Sequence, residues 1–133
     1  MTSRSYMADA IRTAYAARVS GDIDGTMALF ADDAVFGLNA RGTPLGEQAT
    51  GKEQIRTAMQ QLIDGWRFED WKEISLLIEG DTAMLHWTAR ITCLATGKSE
   101  TFDVFDCIKF SDGKVVHFKQ STDTAMIMSL AAA

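Results

Sequence analysis

The amino-acid sequence predicts an α+β domain in which three helices come first and an antiparallel meander of strands follows. Two observations carry the prediction. Apolar residues recur at helical spacing as far as Ile63 and at alternating spacing beyond it. The alternating segments are separated only by Glu79-Gly80-Asp81, Ala95-Thr96-Gly97-Lys98 and Ser111-Asp112-Gly113. Turns this short make consecutive strands antiparallel neighbours, so the helices are laid on one face of a curved sheet. A chain of 133 residues, 47% of them hydrophobic, is enough for one domain with a substantial core, spanning 1–133.

The first helix is predicted over 7–19, where Met7, Ala10, Ile11 and Ala14 form a stripe that Tyr15 and Val19 widen. Gly21 ends it, and Asp22 is suited to cap the next helix. In that short second helix Ile23, Met27 and Phe30 share a face. Ala34-Val35-Phe36 opens a short strand that runs to Leu38 or Asn39. Residues 40–50 are a loop by composition, of a length that often covers a site. Thr50-Gly51-Lys52-Glu53 has the form of a capping box. The third helix carries Ile55, Ala58, Met59, Leu62 and Ile63 on one face and stops at Asp64-Gly65. Four strands follow, near 67–79, 82–95, 99–110 and 114–123.

The third of these strands carries the clearest sign of a site. In Phe102–Phe110 one face presents Phe102, Val104, Asp106, Ile108 and Phe110. A single carboxyl among four apolar groups is costly unless it is paired, hydrogen-bonded or protonated. Asp106 is therefore expected to be buried and to titrate above an ordinary aspartate, whereas Asp103 faces the other way, toward solvent.

Composition excludes several functions. The net charge of −5 and the lack of a basic run disfavour nucleic acid, whose binding rests on Lys and Arg neutralising phosphates. No apolar stretch is long enough to span a bilayer, and the N-terminus lacks the apolar core of a secretory signal, so a cytoplasmic protein is expected. Cys93 and Cys107 read as free thiols, with a disulfide between neighbouring strands as the alternative. Two Cys and two His at scattered positions give no metal-ligand spacing, and no Gly-rich phosphate loop is visible, so no metal or other cofactor is expected.

Three segments resemble the nuclear transport factor 2-like superfamily, in its SnoaL-like and ketosteroid-isomerase-like branch. Gly21-Asp22-Ile23-Asp24-Gly25-Thr26-Met27-Ala28-Leu29-Phe30-Ala31-Asp32-Asp33-Ala34 is similar to its second-helix segment. Gly51-Lys52-Glu53-Gln54-Ile55 is similar to the opening of its third helix, and Phe105-Asp106-Cys107-Ile108-Lys109-Phe110-Ser111-Asp112-Gly113-Lys114-Val115-Val116 to its penultimate hairpin. The resemblance implies a single SnoaL-like domain with a cone-shaped, cystatin-like fold. Its bent sheet would wrap a long helix and leave an apolar pocket open at one end. It also implies a homodimer formed through the sheet.

The resemblance places Asp106 where ketosteroid isomerases keep a protonated aspartic acid that donates to the substrate oxyanion. The remaining isomerase positions do not match. Ala14 stands where the family has its tyrosine, with Tyr15 one place on, and Leu38 stands where it has its base, followed by Asn39. Without that base, ketosteroid isomerisation is not expected. Tyr15 is the alternative donor, although one residue turns a helix by about 100°. Asn39 is suited to hydrogen-bond a ligand.

Two facings are open for the strand that contains His86. Either Leu85, Trp87, Ala89 and Ile91 line the interior and leave His86 and Arg90 in solvent, or His86 and Arg90 point inside and the Trp87 face packs in a dimer. Alignment with the isomerase pattern favours the second facing, with Asp106 as acid and His86 as base. On the last strand the same alignment turns Val116, Phe118, Gln120 and Thr122 inward. Met59, Trp66 and Phe68 either pack the core or line the pocket. The sequence therefore supports a small enzyme of isomerase, cyclase or dehydratase type acting on a polyketide-, steroid- or terpenoid-like molecule. The alternative is a domain that holds a small hydrophobic molecule, or a second copy, without chemistry.

Overall fold

The computed structural model describes residues 2–40 and 46–133. In chain order the elements are α1 (Arg4–Ser20), α2 (Ile23–Met27), β1 (Phe30–Leu38), β2 (Ala49–Thr50), α3 (Lys52–Gly65), β3 (Trp66–Glu79), β4 (Thr82–Cys93), β5 (Ser99–Ser111), β6 (Lys114–Ser121) and α4 (Thr124–Ala131). The six strands form one sheet in the order β2-β1-β6-β5-β4-β3. The predicted meander is its larger part: β3, β4, β5 and β6 pair antiparallel in sequence order. The sheet as a whole is mixed, because β1 joins β6 in parallel, with Phe36 opposite Phe118 and Leu38 opposite Gln120.

α1 lies across the sheet. Ser3 caps it by accepting from the Tyr6 N–H, and Gly21 closes it in the left-handed conformation at φ 82°. Its buried stripe is Met7, Ile11, Ala14, Tyr15 and Arg18. At its outer end the Tyr6 hydroxyl donates to the Gly113 carbonyl at 3.0 Å, which ties the helix to the β5–β6 turn. The stripe meets Phe102, Val104, Ile108 and Phe110 from β5 and Leu85, Trp87 and Ala89 from β4, all buried. Burying each of the larger of these side chains contributes about 1.5–3 kcal/mol.

Phe30, expected on the second helix, opens β1, and Val19, expected on the apolar stripe of the first, is exposed. The structure departs from the sequence expectations in four further places. First, Thr50 does not cap α3. The cap is Gly51 at φ 86° with no side-chain hydrogen bond, and the Thr50 N–H instead donates to Gln54 Oε1 at 3.0 Å. Thr50 is held in β2 opposite Val35, and the Gly51 N–H is bound to the Ala34 carbonyl, so the capping hydroxyl is held away from the helix. Second, Val115 and not Val116 is buried alongside Phe118, because a bulge shifts the β5–β6 register between Lys109 and Phe110. Third, the last strand ends at Ser121, and Asp123 caps α4 by accepting from the Met126 N–H. Fourth, the predicted loop over 40–50 contains β2, and its role as a cover falls on residues 41–45, outside the described residues.

Candidate functional site

Asp106 is the most deeply buried acid of the described residues, at 1% exposure. Its Oδ2 accepts the Tyr15 hydroxyl proton and the Trp87 Nε1–H, the latter at 2.9 Å. Its Oδ1 accepts from Gln120 Nε2 at 3.0 Å. Each donor comes from a different element: Tyr15 from α1, Trp87 from β4 and Gln120 from β6. Register explains the last two. Gln120 stands directly opposite Asp106 across the β5–β6 pair. Trp87 stands opposite Val104, whose side chain shares a face with that of Asp106. Tyr15 reaches the acid because it sits on the buried stripe of α1 rather than beside it.

The network is closed among its own members. Trp87 Nε1 also lies 3.1 Å from the Tyr15 oxygen, and Gln120 Nε2 lies 3.4 Å from it. Trp71 stacks on the Tyr15 ring with centroids 5.2 Å apart, and Trp87 tilts against it at 5.3 Å. Aromatic walls on two sides fix the phenol, and one of them, Trp87, also directs its N–H toward the phenol oxygen.

Burial pushes the Asp106 carboxyl up to about 6, against the pull of the Tyr15, Trp87 and Gln120 hydrogen bonds, which favour the ionised form. The shift runs upward, as its apolar strand-mates predict. The hydrogen-bond pattern differs from the one the resemblance implied: at neutral pH Asp106 is mostly ionised and accepts three donors, rather than being a neutral acid that donates. The Tyr15 hydroxyl is held well above the usual phenol range by burial first and by the Asp106 charge second, so it keeps its proton.

A cavity of about 100 Å³ lies against this network. Tyr15, Trp87 and Gln120 line it, as do Met59, Trp66, Phe68 and Phe118. Leu38 lines it as well. Asp106 does not: it lies behind its three donors. The cavity wall is otherwise apolar apart from Arg18, Thr26 and Thr122.

The expected facing of β4 is overturned. Leu85, Trp87, Ala89 and Ile91 are buried, and Trp87 and Ile91 line the cavity. His86 is on the opposite face, where its Nε2 lies 2.8 Å from Asp103 Oδ1 and its ring stacks on Phe105. Arg90, exposed on that face, donates to the Ser99 hydroxyl at 2.7 Å. Neither residue meets Asp106, so the pairing of Asp106 with His86 as acid and base does not form. The physical reason is burial: the Trp87 face is the more apolar of the two, and the concave side of the sheet is where the core lies. Asn39 also falls elsewhere. It lies in a separate groove with Ala40, Gly46, Gln48 and Lys119, and its N–H donates to the Gln120 carbonyl at 2.6 Å.

Trp87 lies on the interior facing of β4, the one that alignment with the isomerase pattern disfavours. Arg18 is not among the residues the sequence analysis singles out, although Ile11, Ala14, Tyr15 and Arg18 follow helical spacing and place it on the buried stripe. Among the described residues, no group of three or more His, Cys, Asp or Glu is placed to hold a metal ion. Cys93 is buried, Cys107 is exposed, and both are free.

Comparison with known proteins returns a match to the SnoaL-like domain over residues 11–118. An NTF2-like protein of unknown function from Burkholderia pseudomallei is similar over 100% of both chains, at 22% identity and a TM-score of 0.85. An NTF2-like protein from Burkholderia thailandensis is similar at 27% identity and a TM-score of 0.79, covering 94% of this chain and 96% of its own. An LEH-like epoxide hydrolase from M. tuberculosis is similar at 17% identity and a TM-score of 0.76, covering 96% of this chain and 90% of its own. A comparison with curated proteins returns no match. No helix of the described residues is long and apolar enough to cross a membrane.

Proposed function

The chain belongs to the SnoaL-like domain family, and on that premise we propose that it binds a small apolar molecule bearing a carbonyl or hydroxyl oxygen and moves a proton on it through Tyr15. The observation that carries this reading is the Tyr15–Asp106 hydrogen bond at the wall of an apolar cavity. With Asp106 ionised, the Tyr15 O–H points at the carboxylate. A proton leaving the ligand passes to the Tyr15 oxygen while the phenol proton passes to Asp106. The ligand becomes an anion, Asp106 becomes neutral, and Tyr15 is unchanged. The reverse transfer returns the proton to another atom of the ligand, which is the logic of an isomerase, cyclase or dehydratase. A carboxyl near 6 suits both directions at neutral pH. Gln120, with both donor contacts already directed at Asp106 and Tyr15, offers its carbonyl to a ligand hydroxyl. The chemistry needs no cofactor. A polyketide-, steroid- or terpenoid-like molecule, or a fragment of one, has the required apolar body.

Deuterium exchange tests this. Phenylacetone and similar small enolisable ketones, incubated with the protein in D2O, are expected to lose α-proton NMR signal at least about 100-fold faster with wild type than with Tyr15→Phe. Equal rates from a ligand that demonstrably binds would overturn proton transfer. They would favour a second reading, a binding domain without chemistry. One observation speaks for that reading: among the described residues no carboxylate lines the cavity, and Leu38 stands at its wall.

We also propose a homodimer through the sheet. Leu77, Met84 and Phe105 are exposed on its outer face, where Leu77 pairs with Met84 across β3–β4 and Phe105 with His86 across β4–β5. Sedimentation velocity is expected to give twice the chain mass. A cytoplasmic setting agrees with the two free thiols.

A further inference from the structure

Arg18 is out of keeping with its surroundings. It is 7% exposed and lines a cavity whose wall also includes Leu62, Trp66, Phe68 and Ile127. Its guanidinium carbon lies over the Phe68 ring, 4.3 Å from the centroid, a contact that takes up none of its N–H donors. The five N–H donors radiate from the edge of the group. Among the described residues none of them has a hydrogen-bond acceptor, and no carboxylate forms an ion pair with the side chain. Tyr15, one helical turn back, is neutral. Burial lowers the Arg18 pKa to about 10, so the group still carries its charge at neutral pH.

A buried cation without a counter-charge is costly, and Leu or Met at this position would fill the same space without that cost. The cost is recovered when an acceptor of matching shape arrives, and the acceptor that fits a guanidinium edge is a carboxylate. We propose that the cavity takes an apolar molecule carrying a carboxylate, with the carboxylate bound edge-on by Arg18 and the apolar body against the wall that Phe68 and Trp87 form together. This rests on the reading of the cavity as a ligand pocket and names the class of ligand. It also orients the ligand. Arg18 and Tyr15 lie three residues apart on one helix face, so an acid held by Arg18 presents the adjoining carbons to the Tyr15 hydroxyl.

Phenylacetate and phenylacetamide have the same shape and differ in charge. Their single ring suits a cavity of about 100 Å³, on the order of the ~150 Å³ void that takes up benzene. Titrations followed by tryptophan fluorescence are expected to show wild type binding the acid at least about tenfold tighter than the amide. Arg18→Met is expected to bind both alike, at the level of the amide, and Arg18→Lys to keep part of the preference. The wild-type comparison needs no variant, and Arg18→Lys retains the charge where Arg18→Met does not fold. Equal affinity of wild type for acid and amide, or an acid preference that survives in Arg18→Met, overturns the assignment and leaves the pocket reading intact. Binding of neither probe overturns both.

Discussion

Asp103 and Asp106 sit three residues apart on β5 and differ in almost every physical respect. The side chain of Asp103 is 66% exposed and holds the His86 ring from the outer face of the sheet. Asp106 is buried and receives three donors from three separate elements. Strand geometry alone separates them, since an odd spacing sends the two side chains to opposite faces. The pair on the outer face is accessible to water and is worth little. The carboxylate on the inner face has no solvent to fall back on, so its partners decide both its charge and its contribution to stability.

The largest expected effect separates the two acids directly. Asp106→Leu leaves the Tyr15 hydroxyl, Trp87 Nε1 and Gln120 Nε2 without their acceptor in a dry interior, which costs about 3–5 kcal/mol. Asp103→Leu is expected to cost under about 1 kcal/mol. Urea unfolding of the two variants checks this, and similar losses would mean that the inner network carries no special weight.

Asp106→Asn sharpens the contrast by removing charge while keeping shape. Asparagine accepts from Tyr15 and Trp87 through Oδ1 once Gln120 turns its carbonyl toward the new amide. The sign of the pH effect follows from the raised carboxyl. In the window from the unfolded value of 3.8 to about 6 the folded protein holds a proton that the unfolded chain has released. Wild-type stability therefore falls across that window as pH rises, by about 3 kcal/mol from this group at ~1.4 kcal/mol per unit. Asp106→Asn removes that slope, so the stability of the variant relative to wild type is expected to rise between pH 4 and pH 7. A difference that stays constant with pH would place the carboxyl at its ordinary value. Tyr15→Phe has a smaller effect on stability, about 1 kcal/mol for one hydrogen bond, while removing the route for proton transfer.

The same two residues show how far the sequence alone reaches. The alternation Phe102, Val104, Asp106, Ile108, Phe110 identifies the buried acid, and the short turns identify the meander, because period and turn chemistry are local properties of the chain. The donors to Asp106 are not local. Gln120 is set by the register of the following hairpin, Trp87 by the facing of β4, and Tyr15 by the rotation of a helix that touches the sheet only in the folded state. Family alignment placed the tyrosine position at Ala14, yet Tyr15 makes the contact, so the helix carries its phenol one residue later. The parallel pairing of β1 with β6 is likewise invisible, since nothing in either segment encodes a partner some eighty residues away. Arg18 is legible in the helical spacing Ile11, Ala14, Tyr15, Arg18, against the ordinary tendency of a charge to lie at the surface.

The smallest expected effect tests the outer face. His86 was the aligned candidate for a base, and its position opposite Phe105 places the sheet between it and the cavity. His86→Ala removes one hydrogen bond to a half-open aspartate and a stacking contact with Phe105, each worth about 0.5–1 kcal/mol at an exposed site. Stability is expected to fall by roughly 1 kcal/mol, with no change in ketone exchange or in phenylacetate affinity. Its influence should surface instead in self-association, because His86, Phe105 and Met84 are neighbours on the proposed dimer face. A His86→Ala protein that still assembles but has lost proton exchange would put chemistry on the wrong side of the sheet, and the Tyr15–Asp106 pair would then be a structural device alone.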